Sequence, residues 1–295
     1  MMVPVSSRLP RPFAESAADA ELLRGLLERG VSIPPQCRIV GELARQLAAP
    51  DIDLRITAAT LRQDPLLIDG LFRLAGNGAY AQHGELASVE CLLRAIGVRR
   101  TFNLVRALAL SRSISGPVRH HVDERFWLRA RSIAELSMLV AHDRYPVCGV
   151  FADEAYLAGL FMDCGVPMLM GVFSDYCAGL FLDGDGRWPD LAVEDGKVNI
   201  DHALVGYFVA CHWQLPDNVC QAVRFHHQIA QAADHSAAPV VAILNLARHI
   251  WHLHHGTEDA KWHAVADDTL RELRLEDEHR FEVVDAVLER FRRAA

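Results

Sequence analysis

From residue 31 onward the chain repeats apolar residues at helical spacing, and most segments are closed by Pro or Gly. A sheet needs runs that alternate at period two, and no convincing run of that kind occurs. "RIVGELARQLAAP" ends at a Pro, and "LRITAATLRQ" follows. "DPLLIDGLFRLAG" sets Asp64 as N-cap and Pro65 at the first helical position, where a missing N–H matters least. Gly76 and Gly78 end that helix. "SVECLLRAIG" is capped by Ser88 and closed by Gly97, and "RRTFNLVRALALSRSI" stops at Gly116-Pro117.

The second half continues with "DERFWLRARSIAELSMLVAHD", "ADEAYLAGLFMDCG" and "VPMLMGVFSDYCAGLF". After the loop "DGDGRWPD" comes "DHALVGYFVACHW", apolar around most of its circumference and therefore expected at the centre. "LPDNVCQAVRFHH" and three tail helices, "APVVAILNLARHIWHLHH", "DDTLRELR" and "DEHRFEVVDAVLERFRR", complete the series. Only "VEDGKVNI" has room for a short strand or hairpin. The fold expected is all-α, a multi-helix bundle with an N-terminal helical subdomain and a C-terminal helical extension.

Its parts are residues 1–30, an N-terminal segment; 31–236, the main helical domain; and 237–295, C-terminal helices packed on it. Residues 1–14, rich in Pro, Ser and Arg, are expected to lack fixed structure. Within 15–30, Leu22, Leu23, Leu26 and Leu27 form one stripe of a short amphipathic helix.

The net charge of −8 with scattered basic residues argues against nucleic-acid binding through a basic face. Seven cysteines, an odd number with no CxxC pair, read as reduced thiols of a cytoplasmic protein. "MMVPVSSRLPRPF" lacks the apolar core of a signal peptide, and no unbroken apolar run is long enough to cross a bilayer, so no membrane partner is expected.

Chemistry concentrates at "LAGLFMDCGVP", where an acid, Asp163, interrupts an apolar stretch just before Gly165, which reads as a helix end. A buried carboxylate is costly unless paired. Asp163, His202 and His226 fall on different segments, and His with carboxylate is the donor set of Zn, Mn or Fe sites. With 15 histidines in the chain, such a trio also arises by chance, as satisfied core residues. In "HIWHLHH", His249, His252 and His255 share one helix side but lack the HExxH carboxylate, and read as a solvated helix end. "DGDGRWPDLAVE" puts Asp183, Asp185 and Glu194 at calcium-loop positions, but Trp188 stands where that loop needs Gly, so it reads as a solvated loop. Walker A, GxGxxG and GxSxG elements are missing, and no cysteine stands in an obvious cationic, exposed setting.

The order of segments resembles HDOD domains, the HD-related output domains of bacterial signalling proteins. The matching features are Ile33-Pro34-Pro35, the DP-led helix at Asp64-Pro65, and the Ser88-led helix ending at Ile96-Gly97. "FWLRARSIA", "YLAGLFMDCG" and "DHALVGYFVACHWQLPDNVCQAVRFHH" follow in order, over roughly residues 31 to 250. Gly76-Asn77-Gly78 departs from the family's usual Asn-Ser corner. The resemblance implies an HD-like bundle, related to metal-dependent phosphohydrolases whose ligands are His, a His-Asp doublet, further His residues and a final Asp. By that resemblance the first His falls near Arg129, the doublet on Met162 and Asp163, the later His on His202 and His226, and the final Asp on Arg248. Met is a poor ligand for such an ion, and guanidinium has no lone pair to give.

These positions are thus expected to be remnants of a metal site, with no metal, cofactor or catalytic residue, and Asp163 held by Arg129 or Arg248. No receiver, kinase or cyclase segment is recognisable, so a stand-alone module is expected. The expected role is a non-catalytic signalling module that contacts other signalling proteins of a two-component or cyclic-dinucleotide pathway, or a second copy of itself as a homodimer. The alternatives are a residual phosphohydrolase, or a binder of an anionic, nucleotide-type ligand in the old active site.

Overall fold

Side-chain capping marks where four of the helices begin. Asp53 accepts hydrogen bonds from the backbone N–H groups of Arg55 and Ile56, and Asp64 from those of Leu66 and Leu67. Ser88 Oγ accepts from Cys91 N at 3.1 Å, and Asp201 Oδ1 from Leu204 N at 2.6 Å. Each satisfies N–H groups that a helix start leaves without an intrahelical partner. Gly97 and Gly256, at φ 93° and 62°, close two helices in a backbone conformation that side chains disfavour.

The computed structural model describes residues 17–76, 79–80, 86–114, 120–173, 176, 191, 194, 200–275 and 279–294. Among them every regular element is a helix, as the periodicity predicts. An N-terminal group comprises α1 (Ala17–Glu28), α2 (Arg38–Leu47), α3 (Leu54–Leu61), α4 (Pro65–Ala75), α5 (Val89–Ile96) and α6 (Val98–Ile114). The centre is α7 (His120–Cys148), α8 (Ala152–Phe161), α9 (Gly165–Val172), α10 (His202–His212) and α11 (Asp217–Phe225). Then follow α12 (Ile229–Ala233), α13 (Ala238–His255), α14 (Trp262–Glu272) and α15 (His279–Ala294).

α8 is the hub: α6, α7, α11 and α13 all pack on it. All its residues but Ala152 and Glu154 are buried. At Gly159 an added Cβ would lie 2.8 Å from Ala134 Cα, so α7 and α8 touch backbone to backbone. The stretch Ala152–Val172 contains an 18-residue window with the mean hydropathy (1.5) of a membrane span, but 83% of that window is buried within the fold and a turn at 162–164 divides the stretch. The Pro-Pro segment is anchored by Trp213 at the end of α10, whose indole N–H donates to the Pro34 carbonyl at 3.0 Å.

Several expectations are corrected. Leu22 and Leu27 are 49% and 39% exposed, so only Leu23 and Leu26 of the N-terminal stripe enter the core. α7 runs past Asp143 to Cys148 and tolerates Pro146 near its end. α12, five residues long, is too short to show a period. Gly165 does not end a helix; it opens α9, and the reason is steric. A Cβ there would sit 2.2 Å from the carbonyl oxygen of His202, so only glycine lets α9 and α10 meet. Residues 1–14, Gly78, Gly116-Pro117, Cys177, the Asp183–Trp188 loop and most of "VEDGKVNI" lie outside the described residues.

Gly165→Ala is expected to destabilise the protein by about 2 kcal/mol or more, as overpacking against rigid backbone does. Gly171→Ala on the same helix, where an added Cβ meets nothing within 4 Å, is expected to leave the melting temperature unchanged or higher. Thermal unfolding of the two variants side by side checks this.

Candidate functional site

Three neighbouring junctions of the core converge. Asp163 sits in the turn between α8 and α9, His202 is the first residue of α10, and His226 follows the end of α11. Gly165 brings the first two together. Asp163 is 4% exposed, His202 0% and His226 2%. Asp163 Oδ1 lies 3.4 Å from Nε2 of both His202 and His226. Its other oxygen, Oδ2, accepts a hydrogen bond from Arg129 Nη1 of α7 at 3.1 Å. Arg129 is itself buried, with its guanidinium carbon 5.2 Å from the centre of the Trp251 ring.

The expectation that an arginine holds Asp163 thus falls on Arg129. Arg248 instead pairs with Asp259 at 3.5 Å, near enough to Arg129 that both members of the pair act on its charge. Met162 is buried among apolar residues at the end of α8.

Two residues join the cluster that sequence reasoning missed. His227 Nε2 lies 3.1 Å from His202 Nε2, and the ligand atoms of Asp163, His202, His226 and His227 all fall within 4.8 Å of one another. The doubled histidine of "RFHH" was a visible signal for it. Glu194, read from sequence as part of a solvated loop, is fully buried. Its Oε2 is 2.6 Å from His202 Nδ1 and accepts from the His202 backbone N–H, while Tyr176 bonds its other oxygen. No spacing rule in the sequence pointed to that pairing.

These outer partners orient the rings. His202 Nδ1 faces Glu194, and His226 Nδ1 lies 2.8 Å from the Val223 carbonyl. Each Nδ1 therefore carries a proton, and each Nε2 is turned toward Asp163 Oδ1. At 3.4 Å these contacts exceed normal hydrogen-bond length, and Oδ1 is buried without a hydrogen bond of its own. Lone pairs on both Nε2 atoms beside a carboxylate repel unless a cation sits among them. A proton on His202 Nε2 is one such cation. Burial disfavours it, but Asp163 and Glu194 outweigh burial and raise the His202 pKa to about 9. Burial alone would raise Asp163, yet His202, His226 and the Arg129 charge hold it well below the usual carboxylate range. Burial lowers His226 and, with its histidine neighbours, His227 further. A single divalent ion is the other cation that fits: three imidazoles and a carboxylate suit it, with Glu194 and the Val223 carbonyl as outer partners.

In the row of the C-terminal histidines, His249 stacks on Trp262 and His255 on Trp251, with centroid distances of 4.0 and 4.2 Å. His255 is exposed and His249 and His252 are partly so, as a helix end implies.

Asp163→Asn would remove the carboxylate charge from the buried Arg129 pair, and is expected to cost about 3–5 kcal/mol. Adding Arg129→Met should recover part of that loss, a coupling that a double-mutant cycle in urea measures. The pH dependence has a definite sign in protein kept in chelator. His202, with its pKa raised, contributes stability fully present below about pH 6.5 and lost as pH rises through about 9. His226 and His227, with pKa lowered, contribute stability lost as pH falls below about 6.5. Urea midpoints should therefore peak near pH 6.5 and decline on the alkaline side, and Asp163→Asn should flatten that alkaline decline.

The family model for the HDOD domain matches residues 33–229. An HDOD domain protein of unknown function from Geobacter sulfurreducens superposes with a TM-score of 0.65 at 19% identity, covering 94% of this chain and 97% of that one. A protein from Shewanella amazonensis SB2B, provisionally assigned as a metal-dependent phosphohydrolase, gives 0.66 at 13% identity, covering 94% of this chain and all of that one. One from Marinobacter aquaeolei VT8, provisionally assigned to signal transduction, gives 0.64 at 22% identity, covering 94% of this chain and 64% of that one. At such identities the likeness shows the fold. An uncharacterized protein of Treponema pallidum (strain Nichols) is 20% identical over 229 residues, which make up 77% of this chain and 44% of that protein. The chain thus spans less than two thirds of that relative's length.

Proposed function

The chain belongs to the HDOD domain family, and on that premise we propose that it is a non-catalytic regulatory module of bacterial signalling. It acts through contacts with other signalling proteins rather than by turning over a substrate. The observation that carries this reading is the Arg129–Asp163 pair. A buried guanidinium holds one oxygen of the carboxylate that a catalytic ion would need. The charges balance internally: Asp163 and Glu194 against Arg129 and a protonated His202. The three central side chains are buried, so the cluster presents little surface to a substrate. Met162 and Arg248 stand where the resemblance puts two further ligands, and neither supplies an oxygen or nitrogen lone pair.

Two Nε2 atoms at Asp163 Oδ1, with His227 Nε2 beside that of His202, favour a second reading, in which Asp163, His202, His226 and His227 hold one divalent ion. When bound, such an ion would supply Lewis-acid polarisation of a phosphoryl oxygen. In that state the chain's own part is to keep Nδ1 of His202 protonated against Glu194, and to fix Asp163 through Arg129.

Elemental analysis of the purified, dialysed protein separates the readings, together with an assay on bis-p-nitrophenyl phosphate with added Mn²⁺. The non-catalytic reading expects no turnover above the buffer rate, and the same result for His226→Ala. Turnover that His226→Ala abolishes would overturn it, and stoichiometric metal would establish the second reading's ion.

A further inference from the structure

A different cleft lies at the opposite end of α8, between α6 and the α8 N-terminus. The geometry points to this cleft as a binding site for a phosphorylated small molecule that also carries an N–H or O–H donor. It encloses about 570 Å³, in the range of ligand sites. Arg99, Asn103 and Arg106 line it at helical spacing along one face of α6, and Arg100 joins them. Among the described residues none of the three arginines is in an ion pair. Arg100 lies over the Phe151 ring and Arg106 over the Phe102 ring, each 4.0 Å from the ring centroid. Stacking occupies the flat face of a guanidinium and leaves its N–H edge available for an anion. Arg106 Nε is buried with no hydrogen-bond partner.

Asp153 forms the inner wall. It is 1% exposed, and its Oδ2 accepts from Asn103 Nδ2 at 2.8 Å. Its Oδ1 is buried without any partner. A buried acceptor left this way is destabilising, and a ligand donor would remove that cost. Burial raises the Asp153 pKa against the opposing Asn103 hydrogen bond and Arg100 charge, and it lowers that of Arg106 to about 10. The arginines outnumber the two acids, Asp153 and Glu154, and leave the cleft cationic. A phosphate suits the arginine edges, and a donor on the same molecule suits Asp153 Oδ1. Arg100, Phe151 and Asp153 also line a neighbouring space of about 350 Å³, with room for the rest of such a ligand. The cleft is a helix length, about 15 Å, from Asp163. It does not rest on the reading of that cluster, with or without metal.

Titration calorimetry on the full chain at low salt, with EDTA throughout, tests this with inorganic phosphate, ribose 5-phosphate, AMP and GMP. EDTA keeps phosphate captured by an ion at Asp163 from counting. At least one organic phosphate is expected to bind about tenfold or more tightly than inorganic phosphate. The double variant Arg99→Gln/Arg100→Gln, at exposed positions, should weaken that binding about tenfold or more with an unchanged melting curve. Asp153→Asn should erase the preference over inorganic phosphate. Failure of every probe to bind would overturn the inference. So would equal binding by the double variant, or inorganic phosphate binding as tightly as the organic phosphates.

Discussion

One buried carboxylate organises the middle of this molecule. Asp163 sits in a turn lined by apolar side chains, where an unpaired charge would cost several kcal/mol. Its position is tolerable because α7 brings Arg129 to one oxygen, while the start of α10 and the end of α11 bring imidazoles to the other. The packing of four elements is therefore tied to one charge, and Gly165 is the steric condition for it. The same charge sets the order of protonation: it raises His202, while burial keeps His226 and His227 low.

The division of labour between the two oxygens of Asp163 separates a regulatory reading from a catalytic one. Oδ2 is committed to Arg129, and only Oδ1 faces the histidines. A carboxylate shared in this way can serve one cation among the Nε2 atoms, either a proton or a metal ion. It cannot also bridge to a second metal without giving up its hydrogen bond from Arg129. Met162 and the Arg248–Asp259 pair act in the same direction: the surroundings of the cluster are neutralised by the protein itself.

Much of this was legible in the sequence wherever the physics is local. Asp64-Pro65, Ser88 and Gly97 cap helices through bonds to residues two to four positions away, and short-range chemistry of that kind reads directly. The order of segments narrowed the partner of Asp163 to Arg129 or Arg248, and the structure gives Arg129, 34 positions away. Glu194 was not legible, because its partner His202 is chosen by how a loop folds back and its spacing matched a different motif. The partner of Arg248 was misplaced for a related reason: two arginines competed on paper for one acid, and only the packing of α13 against the segment holding Asp259 assigns each its own. The chain position of Gly165 suggests a helix end, whereas its neighbour across space, the His202 carbonyl, is what demands glycine.

α8 makes the contrast between structural and functional polarity concrete. It is nearly all apolar and buried, yet an acid stands at each end, Asp153 in its first turn and Asp163 just past its last. At the Asp163 end the protein supplies a guanidinium and imidazoles, so the charge is spent on holding helices together. At the Asp153 end one oxygen has Asn103 and the other has no hydrogen bond, beside arginines that form no ion pair among the described residues. At both ends one carboxylate oxygen is buried without a hydrogen bond, but the Asp163 oxygen has two imidazole nitrogens 3.4 Å away that a single cation would join to it. The proposed ligand site at the junction of the N-terminal helices with the central bundle rests on the Asp153 oxygen having no such arrangement around it.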